Sequence, residues 1–249
     1  MSPVLNDICW VLLPGLDGSG ELFCWFRTEI PGEHVVVVRY PKSADWQIDD
    51  YAAHVRSLLP RDRRCVLIAE SFSGPIALRL SRQIASVVAI VLVASFVACP
   101  HPLLRMIPMK WARAMRGIGS SRVLLRLACL GWRSPRDRVD ILLDIVRGLP
   151  VDVLRARLGI LRGLDVRGDL RAMRVPALWL AAAQDRLVIE CGDAFRDCTT
   201  VERRTIDGPH FLLQAAPAEC WRAIDAWWRD LNGSKATAPC NPGDDVIQL

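Results

Sequence analysis

The sequence predicts an α/β fold: a mainly parallel, doubly wound sheet interrupted once by a helical cap. Three observations carry this. Short apolar runs recur along the chain with helical patterns between them, the signature of a parallel sheet covered on both faces. One of these runs, Cys65–Ala69, leads directly into a serine flanked by small residues, with a helix-like stretch behind it. The segment from 99 to 174 drops the alternation, contains no clear strand and reads as helices, for example Ser120–Leu130 and Arg136–Arg147.

Taken in order, strands are expected at 8–13, 34–39, 64–69, 87–94, 177–183 and 201–206. Helices are expected at about 21–30, 47–59, 73–83, 187–197 and 217–231. The first run, Ile8–Leu13, is followed at once by Pro14-Gly15-Leu16-Asp17-Gly18-Ser19-Gly20. Glycines there let the backbone approach a ligand closely. A phosphate loop is the rival reading of such a turn. No Gly-Lys-Ser/Thr follows, however, and the glycines are spaced G-x-x-G-x-G rather than G-x-G-x-x-G.

The third run ends in Ala69-Glu70-Ser71-Phe72-Ser73-Gly74. A serine mounted on a tight strand-to-helix elbow needs small residues two before and two after it, and Ala69 and Ser73 stand where the G-x-S-x-G pattern has glycines. The plainer alternative is a serine capping a helix. The next run, Ile84–Ala98, is too short to span a bilayer and reads as a helix end entering a buried strand. Ala177–Ala183 ends in Gln184-Asp185-Arg186, which sets a carboxylate just past a strand. Val201–Ile206 runs into Asp207-Gly208-Pro209-His210-Phe211, a turn presenting a histidine. Of four histidines (His34, His54, His101 and His210), only His210 lies in a late loop after a strand.

Serine, then aspartate, then histidine is the chain order of the α/β-hydrolases. With these residues the chain resembles that superfamily across 6–232, although Pro14-Gly15 replaces its histidine-glycine dipeptide and Ala69 its first elbow glycine. The resemblance implies catalytic Ser71, Asp185 and His210. An oxyanion hole would be formed by the N–H groups of Leu16 and Phe72, because a tetrahedral intermediate needs two fixed donors. Asp207 is the rival acid; only three residues from His210, it is better suited to supporting the loop. A narrower likeness covers Leu149–Leu154, Leu158–Leu161 and Leu164–Leu170 through to Val175-Pro176, which resemble the cap-to-strand connection of pimeloyl-acyl carrier protein methyl ester esterases of biotin synthesis.

At 249 residues and 51% hydrophobic content, one substantial core is expected. The expected organisation is a core at 1–98 and 175–232, a cap at 99–174, and a disordered tail from 233. Only seven residues precede the first strand, so the antiparallel hairpin that opens many hydrolases is expected to be missing. Nine cysteines, an odd number without paired spacing, and the lack of a charged-then-apolar start point to a reducing cytoplasm and no signal peptide. Residues 101–174 hold 16 Lys/Arg against 6 Asp/Glu, a net of +10 in a chain whose total is +5. Such a cap could steer an acidic partner such as acyl carrier protein, or its arginines could simply solvate helix faces. No nucleic-acid-binding fold accompanies the charge. Trp10, Phe23, Trp25, Phe72, Phe96, Trp111 and Trp132 are candidates for an acyl pocket or for plain core.

These features point to a serine esterase acting through an acyl-enzyme, with no metal or organic cofactor implied. Thioester hydrolysis and acyl transfer would use the same residues, and plastid phytyl ester synthases carry a similar Pro-Gly-x-Asp-Gly loop. A ligand-binding module on the same fold would have no need of all three catalytic residues.

Overall fold

The computed structural model describes residues 8–236 apart from 107, 109, 110, 120, 133, 190–193 and 196. Six parallel strands form one sheet in the order β2-β1-β3-β4-β5-β6. They are β1 (Ile8–Leu13), β2 (Val35–Val37), β3 (Arg64–Glu70), β4 (Val87–Val93), β5 (Ala177–Ala182) and β6 (Val201–Ile206). All pairings among the described strands are parallel.

The apolar runs are continuous because both faces of the sheet are buried. Along β1, Cys9, Val11 and Leu13 enter one core cluster, while Ile8, Trp10 and Leu12 enter the other. The first face is covered by α2 (Ile48–Leu58), with Tyr51, Ala52 and Val55, and by α3 (Gly74–Gln83), with Ile76, Ala77 and Leu80. On the second face, a short α1 (Cys24–Arg27) supplies Phe26, and a long C-terminal helix (Pro217–Ala236) supplies Trp221, Ile224, Trp227 and Trp228. Trp10 meets Trp221 and Trp228 edge-on, with ring centroids 5.1 and 5.9 Å apart.

Four expectations are corrected in detail. The helix expected at 21–30 is a 3-10 turn, Glu21–Phe23, followed by the single turn of α1, bounded by Gly20 before it and Pro31-Gly32 after it. The second strand pairs only over Val35–Val37: Val38 N–H closes the ladder on Leu12 O, and beyond it Tyr40 N–H donates to Gly18 O in the loop after β1. Of the helix expected at 187–197, residues 187–189 are not helical, residues 194 and 195 are, and 190–193 and 196 lie outside the described residues. Finally, the C-terminal helix continues through Ala236, four residues into the stretch expected to be disordered, with Asn232 Nδ2 donating to Trp228 O at 2.7 Å. The rest of that stretch, 237–249, lies outside the described residues.

Between β4 and β5 the chain forms α4 (Pro102–Met106), α5 (Ala112–Gly119), α6 (Arg122–Leu125), α7 (Arg136–Gly148), α8 (Val151–Arg162) and α9 (Arg167–Ala172). α6 runs on as a π-helical turn, Arg126–Leu130. Two of the helices have their own small core, in which Leu125 and Leu130 meet Val139, Leu142 and Leu143 of α7 together with Leu22. Among the described residues, the chain after β6 forms α10 (Leu212–Ala215) and the C-terminal helix, α11. Among the described residues no helix is long and apolar enough to cross a membrane. The described cysteines are all free.

Candidate active site

Ser71 follows β3 without a spacer and has φ 48°, a left-handed backbone for a residue with a Cβ. Such a conformation is held only by its surroundings, at an energy of order 1–3 kcal/mol. Here Ser95 Oγ donates to Ser71 O at 2.8 Å. Gly74 makes that possible, since a Cβ on it would lie 1.8 Å from Ser95 Oγ. Ser73, in the second glycine position of the pattern, donates its hydroxyl proton to Pro14 O and accepts from Tyr40 OH at 2.6 Å. Burial pushes the Tyr40 hydroxyl well above its ordinary value, so it stays a donor. The departure from glycine therefore ties the elbow to the loop after β1.

Asp185 and His210 arrive at the carboxyl ends of β5 and β6, beside the serine. His210 Nε2 lies 2.9 Å from Ser71 Oγ, and its Nδ1 lies 2.8 Å from Asp185 Oδ2. The carboxylate fixes the tautomer: Nδ1 donates to it, so Nε2 is left to accept from Ser71. The other oxygen, Asp185 Oδ1, accepts from the N–H groups of Leu187 and Val188 at 2.8 and 2.9 Å. Burial raises the Asp185 pKa, but the hydrogen bond and charge of His210 and the two amides outweigh it, so the net shift is downward. A serine held in this way can pass its proton to the imidazole as its oxygen attacks a carbonyl. Asp207, the rival acid, accepts instead from Gln184 Nε2 at 2.8 Å.

The loop after β1 closes as a turn, with Gly18 N–H donating to Gly15 O at 3.1 Å. Ser19 N–H donates to Asp17 Oδ2 at 2.8 Å. Leu16 and Ser71 line one cavity of about 480 Å³, whose wall is otherwise largely aliphatic: Leu104, Leu125, Leu142, Val146, Leu154 and Leu161 among others. Of the aromatic candidates only Phe96 lines it. Trp10, Phe23 and Phe72 are core, Trp25 is half-buried, and Trp111 and Trp132 are exposed because they sit outside the cavity on the cap surface. His101 is at the wall, with Nδ1 accepting from Leu103 N–H. Cys129 also lines the cavity, and burial pushes its thiol up to about 12, so it stays protonated.

Sequence reasoning missed Glu70. It is 2% exposed and opens on the same cavity, with Oε2 accepting from Gln214 Nε2 at 3.3 Å. Burial first, and the nearby Asp17 second, push its carboxyl up to about 8 against the pull of Gln214. The available signal was a carboxylate closing an otherwise apolar run. Among the described residues no three His, Cys, Asp or Glu side chains converge as a metal would require.

A family model described as the alpha/beta hydrolase family matches residues 10–223. The chain is 29% identical over 203 residues to the pimeloyl-[acyl-carrier protein] methyl ester esterase of Methylococcus capsulatus, covering 74% of this chain and 76% of that one. Among solved structures it is similar to a bromoperoxidase from Bacillus anthracis, with TM-score 0.78, 15% identity and coverage of 90% and 93%. A thermophilic esterase from Thermogutta terrifontis gives TM-score 0.74, 18% identity and coverage of 90% and 89%. At these identities the structural likeness concerns the fold.

Proposed function

The chain belongs to the alpha/beta hydrolase family, and we propose that within it the protein is a serine esterase for carboxylic esters with an apolar acyl chain. Ser71 attacks the ester carbonyl, His210 takes its proton, and Asp185 keeps the imidazole oriented and stabilises its charged form. The N–H groups of Leu16 and Phe72 receive the oxyanion. His210 returns the proton to the departing alcohol, leaving an acyl-enzyme, and then activates the water that releases the acid.

The observation that carries this reading is the continuous hydrogen-bonded chain Ser71–His210–Asp185 at the floor of an aliphatic cavity. The test is labelling of Ser71 by a fluorophosphonate, followed by p-nitrophenyl esters of increasing acyl length. Labelling that persists in Ser71→Ala, or an unlabelled protein without esterase activity, rejects it.

A second reading, favoured by the cap's +10 balance, is that the ester arrives on an acidic carrier. The Methylococcus capsulatus relative is named for a substrate carried in this way. Its test is a carrier-linked methyl ester compared with a free one.

A further inference from the structure

Arg157 on α8 is fully buried, with 0% exposure. An arginine removed from water is expensive to hold unless its donors are satisfied, and here they go to neutral oxygens. Nε donates to Tyr51 OH at 3.0 Å, Nη1 to Leu16 O and Asp17 O, both at 2.8 Å, and Nη2 to Pro41 O at 3.1 Å. The guanidinium also lies over the rings of Tyr40 and Tyr51, 6.0 and 5.6 Å from their centroids.

These partners define what the side chain does. Leu16 and Asp17 are the two central residues of the Gly15–Gly18 turn, and Arg157 holds both of their carbonyls with one nitrogen. The preceding peptide, Gly15–Leu16, is fixed by the bond from Gly18 N–H to Gly15 O. A trans peptide points its C=O and N–H in opposite directions, so this leaves the Leu16 N–H facing away from the turn. Gly18, at φ +71°, gives the guanidinium room: a Cβ there would lie 2.5 Å from Nη1. On the same helix, Leu154 stands three residues before Arg157 and Leu161 four residues after it, spacings that share a helix face, and both line the cavity.

We propose that Arg157 is a positioning residue: it aims the Leu16 N–H as an oxyanion donor and makes the helix that lines the acyl cavity part of that arrangement. The inference rests on Leu16 serving as such a donor in the proposed esterase. Ser71 itself, and the hydrogen bonds of His210 and Asp185, do not depend on it.

The experiment compares wild type, Arg157→Met and Arg157→Lys, with kcat expressed per active site titrated by a fluorophosphonate. Losing an oxyanion donor lowers kcat by about 10²–10³, and a donor present but unaimed should lose part of that. Arg157→Met is expected to lower kcat about 10- to 100-fold with KM changed less than about threefold. Arg157→Lys should recover only a fraction, because one ammonium cannot span four acceptors. Low concentrations of guanidinium should also partly restore kcat per titrated site in a fourth protein, Arg157→Ala. If the Arg157 variants do not fold, Tyr51→Phe, which removes only the Nε acceptor, decides: a threefold or larger fall in kcat per site supports the inference and an unchanged kcat overturns it. An active wild type whose Arg157→Met keeps kcat within twofold overturns the inference alone. An inactive, unlabelled wild type overturns the esterase reading beneath it.

Discussion

The sheet and the cap contribute different things to one cavity. Sheet residues supply directional contacts: the bonds of Ser71, Asp185 and His210 run to one another, to Ser95, and to the amides of Leu187 and Val188. The cap supplies aliphatic wall from Leu125, Leu142, Val146, Leu154, Leu158 and Leu161. The central strands β1, β3, β4 and β5 fix their carboxyl ends because they are paired on both edges and almost wholly buried on two faces. The cap helices meet one another through smaller clusters and leave Val123, Leu124 and Leu127 exposed. In the proposed esterase the division separates bond-making from substrate choice. Arg157, on a cap helix but bonded to the loop after β1, is where the two meet.

The largest effect should come from breaking the sheet side. Ser71→Ala is expected to lower kcat by on the order of 10⁶ without loss of folding, as judged by circular dichroism and thermal melting. Asp185→Asn should fall short of that, at about 10⁴-fold, whereas Asp207→Asn, at a carboxylate that accepts from Gln184, should change turnover little. A larger loss at Asp207 than at Asp185 would assign the acid to the wrong loop.

Glu70 sharpens the sheet side through stability. Its folded-state pKa is raised from 4.5 to about 8. In the unfolded chain the carboxyl ionises near the lower value, so its contribution is full below that pH and is lost as pH rises through about 8. Wild type should therefore lose on the order of 4 kcal/mol between pH 5 and pH 9 that Glu70→Gln does not lose. Chemical denaturation of both proteins across that range measures it. Parallel pH profiles for the two would show that Glu70 ionises freely.

The central sheet was legible in the sequence because burial on two faces writes continuous apolar runs, and Ser71 and Asp185 each follow one; His210 follows the edge strand β6, Val201–Ile206, whose residues are half-buried or exposed and which carries three charges. Where hydrogen bonding overrode pattern, the reading failed. Leu187 and Val188 sit in a helix-like pattern, but their amides are taken by Asp185 Oδ1, a local bond that competes with helix. The apolar run that holds Val38 ends its pairing there, and Tyr40, two residues on, donates its N–H to Gly18 O in the loop after β1. In the cap, Arg157 is one arginine among many in a basic segment, and only its burial distinguishes it. Arg122, by contrast, is exposed and paired with Asp140 at 2.7 Å.

On the cap side, Leu142→Trp places an indole in the cavity wall beside Leu125 and Val146. A mismatch of a single methylene in a hydrophobic pocket is already worth about 1–3 kcal/mol, so kcat/KM for long acyl esters should fall by roughly tenfold or more. An acetyl ester should be affected least. A uniform loss across chain lengths would mean that the acyl chain lies elsewhere.

The smallest expected effect tests the charge of the cap. Arg155 is exposed on α8, two residues before the buried Arg157 and without its part in the loop. If the cap meets an acidic carrier, Arg155→Glu should lower kcat/KM a few-fold for a carrier-linked ester and leave a small neutral ester unchanged, since rim charge acts on the encounter rate. Rising ionic strength should shrink the difference between the two proteins, because exposed charges more than about 10 Å apart are screened at 0.1 M salt. Arg122→Glu is expected to do less, because Arg122 already has Asp140 beside it, and Arg126, half-buried on the π-helical turn, less still. An equal salt response for both esters would leave these arginines as solvated helix faces and make the sheet side alone responsible for the rate.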